Sequence, residues 1–394
     1  MCEIDLHENV NAKVQKEDVL KRNARKKSRF KKSQNDPSNN YEYILEHKGS
    51  KLTVDHINSV EIEDREEIAQ QVFEHFRGRG FPFPFYCDDE LRKDYESLIA
   101  FDTNKLISDS NVVSSFSNHG SKIFKHFNHH FWNVKDKICG PTVIEVFNDD
   151  EKLKRVIRNR LGITFFYRGV SFPFDISGKM IIQGMRSMHL VPHTTNFRAT
   201  VAKFIYDKHS KDGDIVYDYS SGFNQRLLGA LASKNKIRYI GIDPLSDSID
   251  AGNNIIDFLN IDTNRCSLIK SVSEEYCPSE FHSKVALAFS SPPYYDKEIY
   301  SEDSEQAYLR GYDSFIDDYW KRTVKNISTL LKEDGLFIVN ICDEYKNDIE
   351  SVILQNRFEK TCEYNMLFSK SHLSNKTNNK TKLKTEPLIV FKKL

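Results

Sequence analysis

The sequence VALAFSSPPYYD, residues 285–296, runs an apolar, β-rich stretch into two prolines and two tyrosines. Proline donates no backbone hydrogen bond, so Pro292 and Pro293 halt a strand and stiffen the chain around them. Ser291 before them and Tyr294 after them set a hydroxyl and an aromatic ring where the strand stops. A strand-ending turn accounts for the prolines alone. Upstream, DYSSGFN (Asp218–Asn224) follows another apolar run, and its glycine lets the backbone approach a ligand closely. RYIGID ends in Asp243, about 20 residues beyond Gly222, the distance at which a carboxylate grips a ribose diol. Helix capping is the competing role for Asp243, because Pro244 follows in the helix-start position.

For these stretches to meet, the chain must bring them to one edge of a sheet. From Val191 onward NFRATVAKFIYDKHS, NQRLLGALAS, SIDAGNNIIDFLN and YDSFIDDYWKRTVKNISTLLKE have helical spacing, the last ending at Asp334-Gly335. DIVYDY, RYIGID, SLIKSV, VALAFSS, GLFIVNI, EYNMLFS and EPLIVFKK read as strands, seven in all. Strands separated by helices need right-handed crossovers, so the fold class is α/β with a mostly parallel sheet. No helical pattern separates the last two strands, which form an antiparallel hairpin at one edge. In such sheets ligands lie beyond the carboxyl ends of the strands, where Gly222, Asp243 and Ser291 all fall.

Taken together, these residues resemble the amino-methyltransferase family of DNA modification enzymes, which move a methyl group from S-adenosylmethionine to an exocyclic base amine. Ser291, Pro292, Pro293 and Tyr294 match its Asp/Asn/Ser-Pro-Pro-aromatic signature. Asp218 and Gly222 match part of its D-x-F-x-G-x-G loop, and HTTNFRATVAK (193–203) is similar to the polar helix start before that loop. EPLIVFKK looks like its closing strand. The likeness covers about 191–394 and implies a Rossmann-like class I methyltransferase fold, S-adenosylmethionine as cofactor and DNA as partner. It implies that the Ser291 side chain and the Pro292 carbonyl accept the two N–H bonds of the amine, with Pro293 stiffening the pair. Tyr294 is then expected to stack on a base that has left the duplex. The cofactor-binding residues so implied are Thr195, Asn196, Phe197, Asp218, Ser220, Gly222, Phe223 and Asp243, with Glu274 near the adenine. Serine at the head of the signature leans toward cytosine N4, with adenine N6 open.

Two positions depart from the family. Asn224 stands where it has glycine, and asparagine tolerates positive φ. Ser220 stands where it has an aromatic, so Phe223 or Phe197 is expected to supply that packing. An RNA base or a hypermodified DNA base as acceptor on the same fold, and a non-catalytic nucleic-acid-binding protein with a degenerate pocket, stay open as alternatives.

Residues 1–40 are polar, with eight basic residues and no acid between Lys21 and Lys32, a tail expected to be disordered and suited to phosphates. Residues 41–190 form a mixed N-terminal domain expected to read the target, so removing 1–190 is expected to leave a cofactor-binding fold. Within it EDREEIAQQVFEHF (63–76) has helical spacing. FRGRGFPFPF (76–85) echoes YRGVSFPFDI (167–176), as two unrelated segments or as two surfaces for base stacking. His126, His129 and His130 belong to an aromatic cluster rather than a metal site, and no metal is expected. Asp343 reads as a helix cap.

Between the last two strands Lys376, Lys380, Lys382 and Lys384 precede any acid and are a second candidate phosphate contact. Lys plus Arg and Asp plus Glu total 57 each, so the net charge of zero selects no partner by itself. The seven cysteines form no CxxC pair, and no apolar leader or long apolar stretch is present. The expectation is a reduced, cytoplasmic protein without structural zinc or a membrane span, its oligomeric state open.

Overall fold

The computed structural model describes residues 52–108, 111–136, 140–191, 194, 196–295, 298–300, 311–371 and 382–394. Its contacts divide the chain into two compact units, Met1–Pro82 with Pro141–Pro192, and Phe83–Gly140 with His193–Leu394. The expected single boundary near residue 190 is therefore replaced by an interleaved arrangement. The expected basic tail lies outside the described residues.

The first unit is helical. The predicted helix at 63–76 appears as Arg65–Arg79, closed by Gly80 at φ 78°, and packs beside Asp150–Arg160. Its apolar face buries Ile68, Val72 and Phe76, and the facing helix buries Leu153, Val156 and Ile157. The two echoing sequences differ in structure. FRGR closes that helix, whereas YRGV turns a short hairpin in which Phe166 pairs with Ser171 and Tyr167 with Val170.

The second unit is built on a sheet of eight strands. They are β1 (Val112–Ser114), β2 (Ile215–Asp218), β3 (Arg238–Asp243), β4 (Cys266–Lys270), β5 (Val285–Ser290), β6 (Leu331–Asn340), β7 (Phe358–Ser371) and β8 (Lys382–Lys393). Their order is β1-β7-β8-β6-β5-β2-β3-β4. Pairing from β6 through β4 is parallel, and β8 runs antiparallel to both β6 and β7. The seven strands read from the sequence are all present in this Rossmann-like α/β sheet. Apolar residues fill both faces, with Ile240, Val285 and Phe337 on one side and Val216, Leu287 and Ile338 on the other. β2 lies between β3 and β5, so chain direction across the sheet reverses between β2 and β5. That reversal opens a crevice at the strand ends, where such sheets bind ligands.

Three details depart from the sequence reading. The hairpin is not an edge, because β1 pairs in parallel with β7 through Val112–Asn365, Val113–Met366 and Ser114–Leu367. A three-residue strand between polar stretches has too little alternation to be read. Lys382 and Lys384 lie in β8, paired with Ser371 and Ser369, rather than in a loop. The long helix ends at Leu330, and β6 starts at once, with a bulge between Leu331 and Leu336 around Asp334 at φ 60°. Before it, Phe315–Trp320 forms a π-helical turn.

Residues 83–140 are part of this core. Leu91, Leu98 and Ile123 pack in one cluster with Ala199, Leu228 and Ile255. Tyr95 donates to the Leu231 carbonyl at 3.1 Å, and the Phe101 carbonyl accepts from Lys203 Nζ at 3.2 Å. Removing residues 1–190 would strip that cluster and β1, so the truncated chain expected to retain a cofactor-binding fold lacks part of its core. Leu98→Ala, at a residue with no exposure, is expected to destabilise this unit by about 2–5 kcal/mol. Denaturant unfolding of the full chain measures it, and a loss below about 1 kcal/mol would show the segment to be peripheral.

Candidate active site

The turn after β2 is held by the carboxylate at the end of β3. Gly222 sits at φ +57°, a left-handed conformation that glycine adopts without strain. Its N–H donates to Asp243 Oδ2 at 2.8 Å, and Leu245 N–H donates to Oδ1 at 3.0 Å. Asp243 thus fixes the glycine turn and the chain entering helix Ser246–Phe258 with the same carboxylate. The helix is N-capped at Leu245 without a side-chain bond, so Asp243 is not the helix cap that Pro244 suggested. Burial pushes its carboxyl up to about 6, against these two N–H bonds, which favour the charged form. Ser221 N–H donates to the Ile242 carbonyl at 2.8 Å and ties the turn to β3 a second time.

Asp218 was expected to bind cofactor, and the structure places it elsewhere. It has no exposure. Oδ2 accepts from Arg226 Nε at 2.9 Å and from the Tyr239 hydroxyl at 2.7 Å. Strand pairing brings Tyr239 alongside, and helix Gln225–Leu231 points Arg226 back at the strand end. Burial opposes the Arg226 charge, but the Asp218 carboxylate outweighs it and holds the guanidinium above its ordinary value. Arg226 Nη2 also reaches the Ser220 carbonyl and, at 3.3 Å, Ser290 Oγ. Sequence reading missed this arginine because one basic residue in an apolar helix looks like a solvated one.

Asn224 explains its own departure from glycine. Its φ is 63°, and its buried Nδ2 donates to Asn128 Oδ1 at 3.0 Å and to the Ser248 carbonyl at 2.8 Å. The histidine-rich stretch supplies that support. His130 Nε2 lies 3.0 Å from Ser248 Oγ, and its ring packs on Phe223 with centroids 5.1 Å apart. Burial pushes the His130 imidazole down to about 4, so it is neutral there. His129 stacks on Phe83 at 4.4 Å and His126 lies 5.0 Å from Phe85. The predicted aromatic cluster therefore buttresses the turn.

One cleft, about 860 Å³ with its open mouth, runs along these strand ends. Its wall contains Asn196, Phe197, Ser220, Gly222, Phe223, Asp243, Glu274 and Ser291, all singled out in the sequence. Tyr219, Arg226, Leu245, Ser248, Val272, Tyr300 and Tyr319 join them without having been foreseen, and Tyr319 comes from the π-helical turn. The Tyr219 hydroxyl and Asn196 Nδ2 are buried there without a hydrogen-bond partner among the described residues. Phe197 and Phe223 stand in the wall near Ser220, where the missing aromatic was to be replaced.

Of the signature, Ser291 and Pro293 reach the cleft. Pro292 is buried between them and Tyr294 is absent from the wall. Tyr294 packs against the core cluster beside β5 and donates its hydroxyl to Glu386 Oε2 at 2.7 Å. Ser291 Oγ donates to Asn340 Oδ1 at 3.1 Å, and Asn340 Nδ2 donates to the Pro387 carbonyl at 3.1 Å. Thr195, Lys376 and Lys380 lie outside the described residues, and Lys382 and Lys384 sit on β8. No helix among the described residues is long and apolar enough to cross a membrane.

No protein-family model matches this chain. No curated protein matches it either. Solved structures similar to it include a geranyl diphosphate methyltransferase in complex with SAM, at 11% identity over 50% of this chain and 85% of that one, TM-score 0.35. A SAM-dependent O-methyltransferase from Thermotoga maritima is 13% identical over 51% and 68%, TM-score 0.36. A putative RNA methyltransferase from Pyrococcus horikoshii is 16% identical over 50% and 83%, TM-score 0.33.

Replacing Asn224 separates its two contributions. Asn224→Ala is expected to cost about 3 kcal/mol, from a left-handed backbone and two lost buried hydrogen bonds. Asn224→Gly relieves the backbone and is expected to cost about 1–2 kcal/mol. Denaturant titration of both variants checks the order, and equal losses would mean that backbone conformation plays no part.

Proposed function

We propose that the chain moves a methyl group from S-adenosylmethionine to the exocyclic amine of a base in DNA, cytosine N4 in preference to adenine N6. One observation carries the reading. Ser291 lies on the cleft wall with Gly222 and Asp243, and gives its proton to Asn340, leaving its lone pairs for an incoming N–H.

The residues of the cleft fit this cofactor. A carboxylate has about four lone-pair sites, so Asp243 keeps acceptors for a ribose diol beyond those taken by Gly222 and Leu245. Phe223, Leu245 and Val272 give a purine an apolar wall, with Glu274 at hand for its amine. Tyr219 and Asn196 bring buried donors of the kind a carboxylate takes up. When bound, S-adenosylmethionine supplies an electrophilic methyl group on a sulfonium.

The amine is a poor nucleophile because its lone pair is delocalised into the base ring. Ser291 Oγ, accepting one of the amine's N–H bonds, favours a tetrahedral nitrogen with its lone pair directed away from that bond. Pro292, whose carbonyl was expected as the second acceptor, is buried off the cleft wall. Fixed acceptors of this kind need no reorganisation during reaction. The N–C bond forms as the methyl carbon leaves sulfur, whose electron pair stays behind on a neutral thioether, and the nitrogen gives up one proton to solvent. The base must leave the duplex to reach the cleft. Phosphate contacts fall to Lys21–Lys32 and to Lys376, Lys380, Lys382 and Lys384, and target reading to the first compact unit.

Tritiated methyl transfer is expected into DNA and not into RNA, and absence of label in both would sink the reading. Ser291→Ala is expected to lower the rate about 100–1,000-fold while cofactor affinity moves less than about 3-fold. Asp243 adds a pH dependence. Its carboxyl titrates near 6, and only the charged form keeps all its acceptor sites, so affinity for S-adenosylmethionine weakens as pH falls through about 6. Calorimetry between about pH 5 and pH 8 measures this. Asp243→Asn is expected to remove the dependence, and a flat profile in the wild-type chain would show that Asp243 does not hold the cofactor.

A further inference from the structure

A serine hydroxyl is both donor and acceptor, so its type alone does not make Ser291 a receiver of N–H bonds. The neighbouring strands decide the matter. Val339 pairs with Ser290 across β6 and β5, which sets the next residue, Asn340, beside Ser291. Asn340 is 1% exposed. Its side-chain amide lies between Ser291 Oγ and the Pro387 carbonyl at 3.1 Å on each side. A carbonyl oxygen can only accept, so the amide nitrogen must face Pro387 and the amide oxygen must face Ser291. That oxygen also can only accept, and the hydrogen between them therefore belongs to Ser291.

We infer that Asn340 is a positioning residue: it fixes the Ser291 hydroxyl as an acceptor toward the cleft and so selects substrates that present N–H bonds there. The inference rests on the methyl-transfer reading and gives that site its preference for an amine. Without Asn340, Ser291 is free to turn its hydrogen into the cleft, where it opposes an amine hydrogen and leaves the nitrogen lone pair delocalised. The register of three strands is what places the residue, since Asn340 pairs with Leu388 and so meets the carbonyl just before it.

A double-mutant cycle on the full chain tests this. Asn340→Leu is expected to lower transfer to DNA at saturating substrates about 10–100-fold when Ser291 is present. In a Ser291→Ala background the same change is expected to lower it less than about 3-fold, because there is no hydroxyl left to orient. Calorimetric affinity for S-adenosylmethionine should stay within about 3-fold throughout. Asn340→Asp is the second variant: its carboxyl, charged or neutral, still takes the Ser291 hydrogen, so it retains transfer that Asn340→Leu loses. Equal factors in both backgrounds, a matching loss of cofactor affinity, or equal loss by Asp and Leu would each overturn the inference. A wild-type chain that transfers no methyl group would instead remove the reading beneath it, and the inference with it.

Discussion

A buried ion pair ties the two loops of the cleft to each other. Asp218 ends β2, and Arg226 reaches back to it from the following helix, with side-chain exposures of 1% and 5%. The same guanidinium holds the Ser220 carbonyl in the glycine turn and Ser290 Oγ on β5, and Ser290 itself donates to Ser220 O at 3.1 Å. Ser291 is the next residue along. Its distance from the glycine turn is therefore set by a charge pair that solvent does not reach. Burial of two charges is costly unless hydrogen bonds satisfy both, and removing one partner typically costs about 3–5 kcal/mol. Here Tyr239 and Ser220 complete the set, which makes the pair a fastener between loops.

The cleft residues legible in the sequence share a property. Gly222, Asp243 and Ser291 stand at strand ends beside residues that restrict or free the backbone, so both their place and their chemistry are written locally. Asp218 was misplaced because an acidic residue at a strand end reads the same whether it faces a ligand or a buried arginine. Only the pairing of Tyr239 beside it and the turn of Arg226 toward it separate the two cases. The fold was legible for the same reason as the first group. β2 to β6 are apolar runs, and helices Gln225–Leu231, Ser246–Phe258 and the long one ending at Leu330 fill three of the four gaps between them. β1 was not, having three residues and no alternation, and its pairing with β7 spans most of the chain.

The signature tetrapeptide divides its work differently from the expectation. Ser291 and Pro293 face the cleft, while Tyr294 is anchored by Glu386 from β8. Asn224, a departure on paper, turns out to be a substitution with compensation. It accepts the left-handed backbone that glycine would provide and adds two hydrogen bonds glycine lacks, one of them to Asn128. The segment around His126–His130 had suggested at most an aromatic cluster, and its side chains stand behind the turn.

The interleaving of the two units bears on how the molecule is made. Ser115 Oγ bonds to the Leu367 carbonyl, 252 residues later in the chain. At ribosomal rates of about 5–20 residues per second, the segment that carries β1 waits roughly 10–50 seconds for its partner strand to be synthesised. Early in that interval only the first stretch of the first unit has been made, and Leu98 and Ile123 have no Ala199, Leu228 or Ile255 to cover them. A nascent chain stalled in this window exposes apolar surface, and it is at this stage that a chaperone has most to shield.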